Sequence, residues 1–349
     1  MEKKYNVCYD ILTILACLMV VFFHTNGIVY TYSDTVSWKI SVVERCIVYS
    51  AIPIFFMLTG AKLMEYRKRY STKEYAMKRL QRVGIPFLFW NIFYLIYQRV
   101  QTPSDSFHSV KELISMFLNA EFQNRYWFFF PLFAIYAAIP VISLILQAEN
   151  HRKYLWFAVG TTFVLNWVLK PICEIFGIAY NSYLTMPVLG GFLIYVLFGY
   201  LVSTEQWSAR KRMFLYLLAV VSGIFAVAYT IFASTKVGAT VQYLFSYQYF
   251  PSGLTGAAIF VFVKHLFDKP SVAEVFHGRK KLASLIRTVS GCCMGVWLTH
   301  SLAITVAGKI LGLSEGNYLF RFVLPLFVFA ACVAGVWLVR KIPVLKHIV

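Results

Sequence analysis

Charge is what this chain has little of: Asp, Glu, Lys and Arg make up 14% of 349 residues, and only 15 residues are acidic. A soluble domain of this length needs a charged shell, and so few charges cannot form one. Cysteine is also scarce and follows no pattern. The seven thiols are odd in number, and the vicinal pair Cys292-Cys293 has no partner pair at zinc-ligand spacing. That argues against a disulfide framework and a zinc site, and no other metal site is expected. Most of the thiols (Cys8, Cys17, Cys46, Cys173, Cys332) fall inside apolar runs, where they serve as small core residues. No internal repeat stands out, which weakens the case for an inverted-repeat transporter. No small-residue cleavage site follows the first apolar run, and that run carries Asp10 and His24, so a retained first helix is expected rather than a signal peptide. With no long hydrophilic stretch, residues 1–349 read as one integral-membrane domain.

What the sequence does hold is apolar length: 59% of residues are hydrophobic and the mean hydropathy is +0.65. The runs predict an all-α, polytopic bundle of about ten transmembrane helices in a lipid bilayer. They cover about Val7–Tyr30, Lys39–Met64, Val83–Tyr97, Tyr126–Leu146, Tyr154–Phe176, Pro187–Val202, Met213–Ala233, Val241–Phe267, Thr288–Ile310 and Phe320–Val339. At ~1.5 Å per residue most of these cross a hydrocarbon core of ~30 Å, and the sixth is marginal. His108–Leu118, between the third and fourth, reads as a short amphipathic helix on the outer interface.

The formal net charge of +18 raises the question of nucleic acid, but the cations sit in short clusters between apolar runs, with no basic stripe or recognition motif. They read as topology signals, and no nucleic-acid partner is expected. With the N-terminus inside, the inner segments hold 24 of the 33 Lys and Arg, eight of them between Lys62 and Arg82. Shifting the count by one helix inverts that asymmetry, so both termini are expected to be cytoplasmic and the protein to be a multi-pass protein of the cell membrane.

Ionisable groups inside a bilayer need a reason, and the first helix has two. Asp10 lies near its inner end and His24 some fourteen residues on, within ~40° of the same helical face and ~21 Å along the axis. His24 has two readings: a core histidine tied to a backbone carbonyl, or a neutral imidazole suited to taking a proton from a hydroxyl. His300, in Gly295-Val296-Trp297-Leu298-Thr299-His300, is a second mid-membrane imidazole. Arg79 and Arg82, with Lys78 beside them, read either as positive-inside charge at the headgroups or as a phosphate clamp. On the outer side Glu121, Arg125 and Trp127 open the fourth helix; Trp127 fits an interfacial belt, and an Arg–Glu pair beside aromatics also suits a sugar.

In this order the landmarks resemble the integral-membrane acyltransferase family three, whose members mostly O-acylate carbohydrates and cell-envelope polymers. The resemblance is carried by Tyr9-Asp10 and Val20-Val21-Phe22-Phe23-His24, Pro53-Ile54-Phe55-Phe56-Met57-Leu58-Thr59-Gly60, Lys78-Arg79-Leu80-Gln81-Arg82 with Pro86, Trp127-Phe128-Phe129 with Tyr136 and Pro140, and Gly295 through His300. It implies an acetyl-CoA or other short acyl-CoA donor reached from the cytoplasm, with a carbohydrate or cell-envelope acceptor on the far side. His24 would then be the catalytic base with Asp10 orienting groups at the inner mouth. Arg79, Arg82 and Lys78 would hold the donor phosphates, and Arg125, Glu121, Trp127 and His300 would meet the acceptor. Two positions depart from the family pattern. Thr13 stands where the family usually has an arginine, eleven residues before the histidine, and Arg125 stands where it has a histidine before Trp-Phe. The first departure leaves open a transporter-like module on the same scaffold, taking up an amino acid such as serine.

Overall fold

A computed structural model describes residues 7–101, 109–184, 186 and 190–349, without the side chains of residues 273 and 277. The described residues are helical and contain no strand. This follows from the solvent: lipid offers no hydrogen bonds, so every backbone group in the core must be satisfied within its own segment.

In chain order the helices are α1 (Val7–Phe23), α2 (Val36–Val48), α3 (Ala51–Leu63), α4 (Thr72–Arg79), α5 (Ile85–Gln101), α6 (Val110–Leu118), α7 (Phe129–Ile142), α8 (His151–Thr162), α9 (Lys170–Ile175), α10 (Leu193–Thr204), α11 (Ala209–Val237), α12 (Phe250–Asp268), α13 (Pro270–Gly278), α14 (Lys280–Leu311) and α15 (Leu324–Val339). Each of the ten expected segments contains a helix. Among the described residues seven helical stretches are long and apolar enough to span a membrane: Val36–Lys68, Asn124–Gln147, His151–Ile175, Ala209–Val237, Phe250–Asp268, Lys280–Leu311 and Leu319–Val339; Val7–Phe23 and Leu193–Thr204 are shorter and apolar. The protein is a multi-pass membrane protein.

Several boundaries differ from expectation for local reasons. The first helix stops at Phe23 rather than running to Tyr30, because the polar Thr25-Asn26-Gly27 follows and both polar side chains bond elsewhere: Thr25 Oγ1 to the Phe22 carbonyl, Asn26 Nδ2 to the Ser41 carbonyl. The second span breaks at Tyr49–Ser50, four and three residues before Pro53, which cannot donate to the Tyr49 carbonyl. Pro53 thereby divides α2 from α3. The expected interfacial helix forms as α6, with Ser109 capping it and no buried residue; His108, Lys3, Lys4 and Pro187 lie outside the described residues.

α1 is the axis of the bundle. Leu12, Ala16 and Val20 lie at a four-residue repeat in the main core, while Cys17 and Val21 turn to a second core with Val296, Leu324 and Val328. Its long-range bonds show how it meets α14: Asp10 opposite Ser290, Cys17 opposite Cys293, His24 opposite His300. The numbers rise together, so α1 and α14 run parallel. That direction requires an even number of crossings between their starts.

α3 and α10 are packed closest, and small residues allow it. A Cβ on Gly60 would lie 1.8 Å from the Val196 carbonyl oxygen, and one on Gly199 2.1 Å from that of Met57. Backbone cannot yield as a side-chain tip can, so the helices would have to separate. Gly60→Ala is expected to destabilise the protein by about 1–3 kcal/mol through overpacking, seen as a lower Tm in detergent. Gly160→Ala, with nothing within 4 Å of the added carbon, serves as the neutral control.

Candidate active site

Two imidazoles far apart in sequence meet in the bundle. The ring centroids of His24 and His300 are 5.1 Å apart with planes 32° from parallel. His24 sits on the first turn beyond α1, its ring edge-on to Phe23 at 4.8 Å. His300 comes from the middle of α14 and is buried. Its Nδ1 lies 2.7 Å from the Trp297 carbonyl and 3.1 Å from that of Val296. Carbonyls only accept, so Nδ1 carries the proton and Nε2 keeps its lone pair. That Nε2 is buried and has no hydrogen-bond partner. The tyrosine hydroxyls of Tyr126 and Tyr94 both donate to the Leu298 carbonyl, at 2.7 and 3.3 Å, and so clasp α14 two residues before the imidazole.

On the side of the His24 turn, a cavity of about 310 Å³ is lined by Arg125, Glu121, Tyr94, Gln98, Ser301 and Thr305, among others. Ser301 is the neighbour of His300, and its Oγ is buried without a partner. Arg125 and Glu121 thus share a polar chamber beside the imidazole pair. Trp127 does not join them. Its ring stacks on Tyr247 at 5.3 Å and 23° and packs on Phe192, within the bundle rather than in the lipid-facing belt that its position suggested.

At the other end of α1, Asp10 accepts from Ser290 Oγ at 2.7 Å. Arg79 and Arg82 part company. A π-helical turn over Leu80–Gly84 follows α4 and shifts the face that the i, i+3 spacing suggested. Arg79 is half-buried over the rings of Tyr75 and Tyr136, at 6.0 and 5.7 Å, with its Nε buried and unpartnered, whereas Arg82 is exposed. Lys78 lies 4.1 Å from the Tyr70 ring centroid.

Two features here carried no mark in the sequence. Lys62 Nζ, half-buried, donates to Thr13 Oγ1 at 3.2 Å, placing a cation from α3 at the position where the family resemblance implies arginine. The charges acting on it are Asp10, of opposite sign, and Arg79, of like sign, and it forms no ion pair. The second is Arg45, buried among four aromatic rings on the His24 side. Only three-dimensional packing brings either one to the site.

The family model for the acyltransferase domain of family three matches residues 6–341, nearly the whole chain. The chain belongs to that family. No curated protein and no solved structure matches it. Membership makes it a membrane acyltransferase and implies an acyl donor and an acceptor; among the described residues, no group of three or more His, Cys, Asp or Glu gathers to hold a metal ion.

Proposed function

We propose that the protein moves an acetyl or similar short acyl group from cytoplasmic acyl-CoA to a hydroxyl, or an amine, of a carbohydrate or cell-envelope acceptor across the cell membrane, with both termini cytoplasmic. The observation that carries this reading is the imidazole pair lying between two unpaired cationic regions, Lys62 with Arg79 on one side and Arg125 on the other. Two like charges in a bundle that form no ion pair among the described residues suit a polyanion, and a CoA pyrophosphate is one. The 24 inner cations support the orientation.

In this reading His24 takes the proton from the acceptor hydroxyl as its oxygen bonds to the thioester carbonyl carbon. The carbon–sulfur bond then breaks, and the proton passes from His24 to the thiolate, releasing free CoA and restoring neutral imidazole. His300, its proton held on Nδ1, accepts from the acceptor through Nε2. Arg79, Arg82 and Lys78 hold the donor phosphates from the interface, Lys62 reaches in from α3, and Asp10 orients the cations at the inner mouth. Arg125, Glu121 and Trp127 line the acceptor side.

The direct test is acyl-CoA turnover by the purified protein. Lys62→Met is expected to raise KM for acyl-CoA by ~10–100-fold, the worth of a charge-assisted hydrogen bond, with a smaller effect on kcat, and Lys62→Arg is expected to recover most of it. No turnover and no binding of any short acyl-CoA would count against the transferase. Serine uptake by proteoliposomes, independent of CoA, would instead support the transporter reading that Thr13 leaves open.

A further inference from the structure

A buried arginine normally comes with an anion, and this protein shows what that looks like. Arg321, 0% exposed, pairs with Glu44 at 3.2 Å and donates to Ser37 Oγ at 3.0 Å. Arg45, the residue after Glu44 on α2, is 2% exposed and has no such arrangement. It bonds to the Tyr49 hydroxyl, while its Nε and Nη1 are buried with no partner, and no carboxylate forms an ion pair with it. Its guanidinium carbon lies 4.4 Å from the ring centroids of Tyr30 and Tyr49, 4.7 Å from Phe23 and 4.9 Å from Phe245. Those rings compensate part of the lost hydration, but their faces accept no hydrogen bond in the guanidinium plane.

Its surroundings lead to the imidazoles. The Phe23 ring that touches Arg45 also touches His24, at 4.8 Å. From Tyr49 a stack runs through Tyr247, at 4.3 Å and 13°, to Trp127, at 5.3 Å and 23°, a wall of ring edges that leads from Arg45 to the start of the fourth span. Tyr30 is the exposed ring of the four, at 47%, and a small cleft of about 10 Å³ beside Arg45 is lined by Tyr49, Phe245 and Ser252. Arg125, the other guanidinium on this side, also forms no ion pair. Among the described residues the acceptor side therefore has two guanidinium groups that form no ion pair, near the imidazole pair, with the ring stack between them.

We infer that Arg45 is the anion-recognition residue of the acceptor site, and that the acceptor is a sugar bearing a carboxylate or phosphate near the hydroxyl that is acylated. This rests on the transferase reading for the word acceptor, but not for the binding. The anion takes the two free N–H edges of Arg45, and the hydroxyl reaches His24 past the shared Phe23 ring.

The test is equilibrium binding to the full-length purified protein without CoA, followed by tryptophan fluorescence, since Trp127 is part of the wall. The probes are glucuronate, glucose 1-phosphate and glucose. At least one anionic sugar is expected to bind at least about tenfold more tightly than glucose, and which one does so tells carboxylate from phosphate. Arg45→Gln is expected to bring that preference to within about twofold, and Arg45→Lys to keep part of it. Glucose binding as well as both anionic sugars, no probe binding, or a preference that survives Arg45→Gln would overturn the inference. If Arg45→Gln does not fold, the wild-type preference and Arg45→Lys decide it. Turnover of acyl-CoA without anion preference would sink this inference alone; anion preference without acyl transfer would sink the transferase reading alone.

Discussion

Replacing His24 with alanine is expected to lower the rate of acyl transfer by ~10²–10⁴-fold while leaving the bundle assembled, the range that loss of a general base commonly produces. The ring lies beyond the end of α1, and the packing of that helix is carried by Leu12, Ala16, Val20, Cys17 and Val21, not by His24. Its ring contacts are Phe23 and His300. His24→Asn keeps a polar side chain of similar reach without a basic nitrogen, and should be as inactive as the alanine variant. KM for acyl-CoA should change little in either, because Lys62 and Arg79 lie at the other end of α1. A fall in kcat with steady KM separates lost chemistry from lost binding. Unfolding by heat in detergent should give the wild-type midpoint.

The largest effect on stability is expected from Arg321→Met, a loss of about 3–5 kcal/mol, because it leaves Glu44 buried with its partner gone. The main-chain carbonyl of Arg321 accepts from Thr25 Oγ1, one residue after His24, at 3.3 Å, and the substitution leaves that bond in place. Activity should therefore fall with folded fraction rather than through the chemical step. Pairing the change with Glu44→Gln removes the unmatched charge and should return a good part of the stability. Unfolding midpoints of both single variants and the double variant check this, and an additive double variant would show that the two side chains are not coupled.

Helices were legible because bilayer thickness imposes a length on apolar runs that needs no knowledge of neighbours. Asp10, His24 and His300 were visible for the same reason, as ionisable groups inside such runs. The meeting of His24 with His300 was not, because it joins α1 to α14 across nearly the whole chain. Lys62 looked like one more positive-inside charge, and its bond to Thr13 exists only because α3 packs on α1. Arg45 and Arg321 both looked like charges near helix ends, yet one is paired and one is not, a difference set by which helices lie beside them. Arg79 and Arg82 differ in burial because a π-helical turn over Leu80–Gly84 intervenes, which the sequence does not signal. The position of Trp127 fits an interfacial belt, and its aromatic partners, Tyr247 and Phe192, come from segments that the sequence does not bring together.

The central claim is that the acyl thioester comes to the imidazole pair. A density map of the protein in lipid nanodiscs with a non-hydrolysable acyl-CoA analogue tests it most directly. The account predicts the nucleotide phosphates beside Lys62 and Arg79, with the thioester position within contact of the His24 ring. A nucleotide bound elsewhere with its acyl end remote from His24, or imidazoles still without a ligand at saturating analogue, would contradict it.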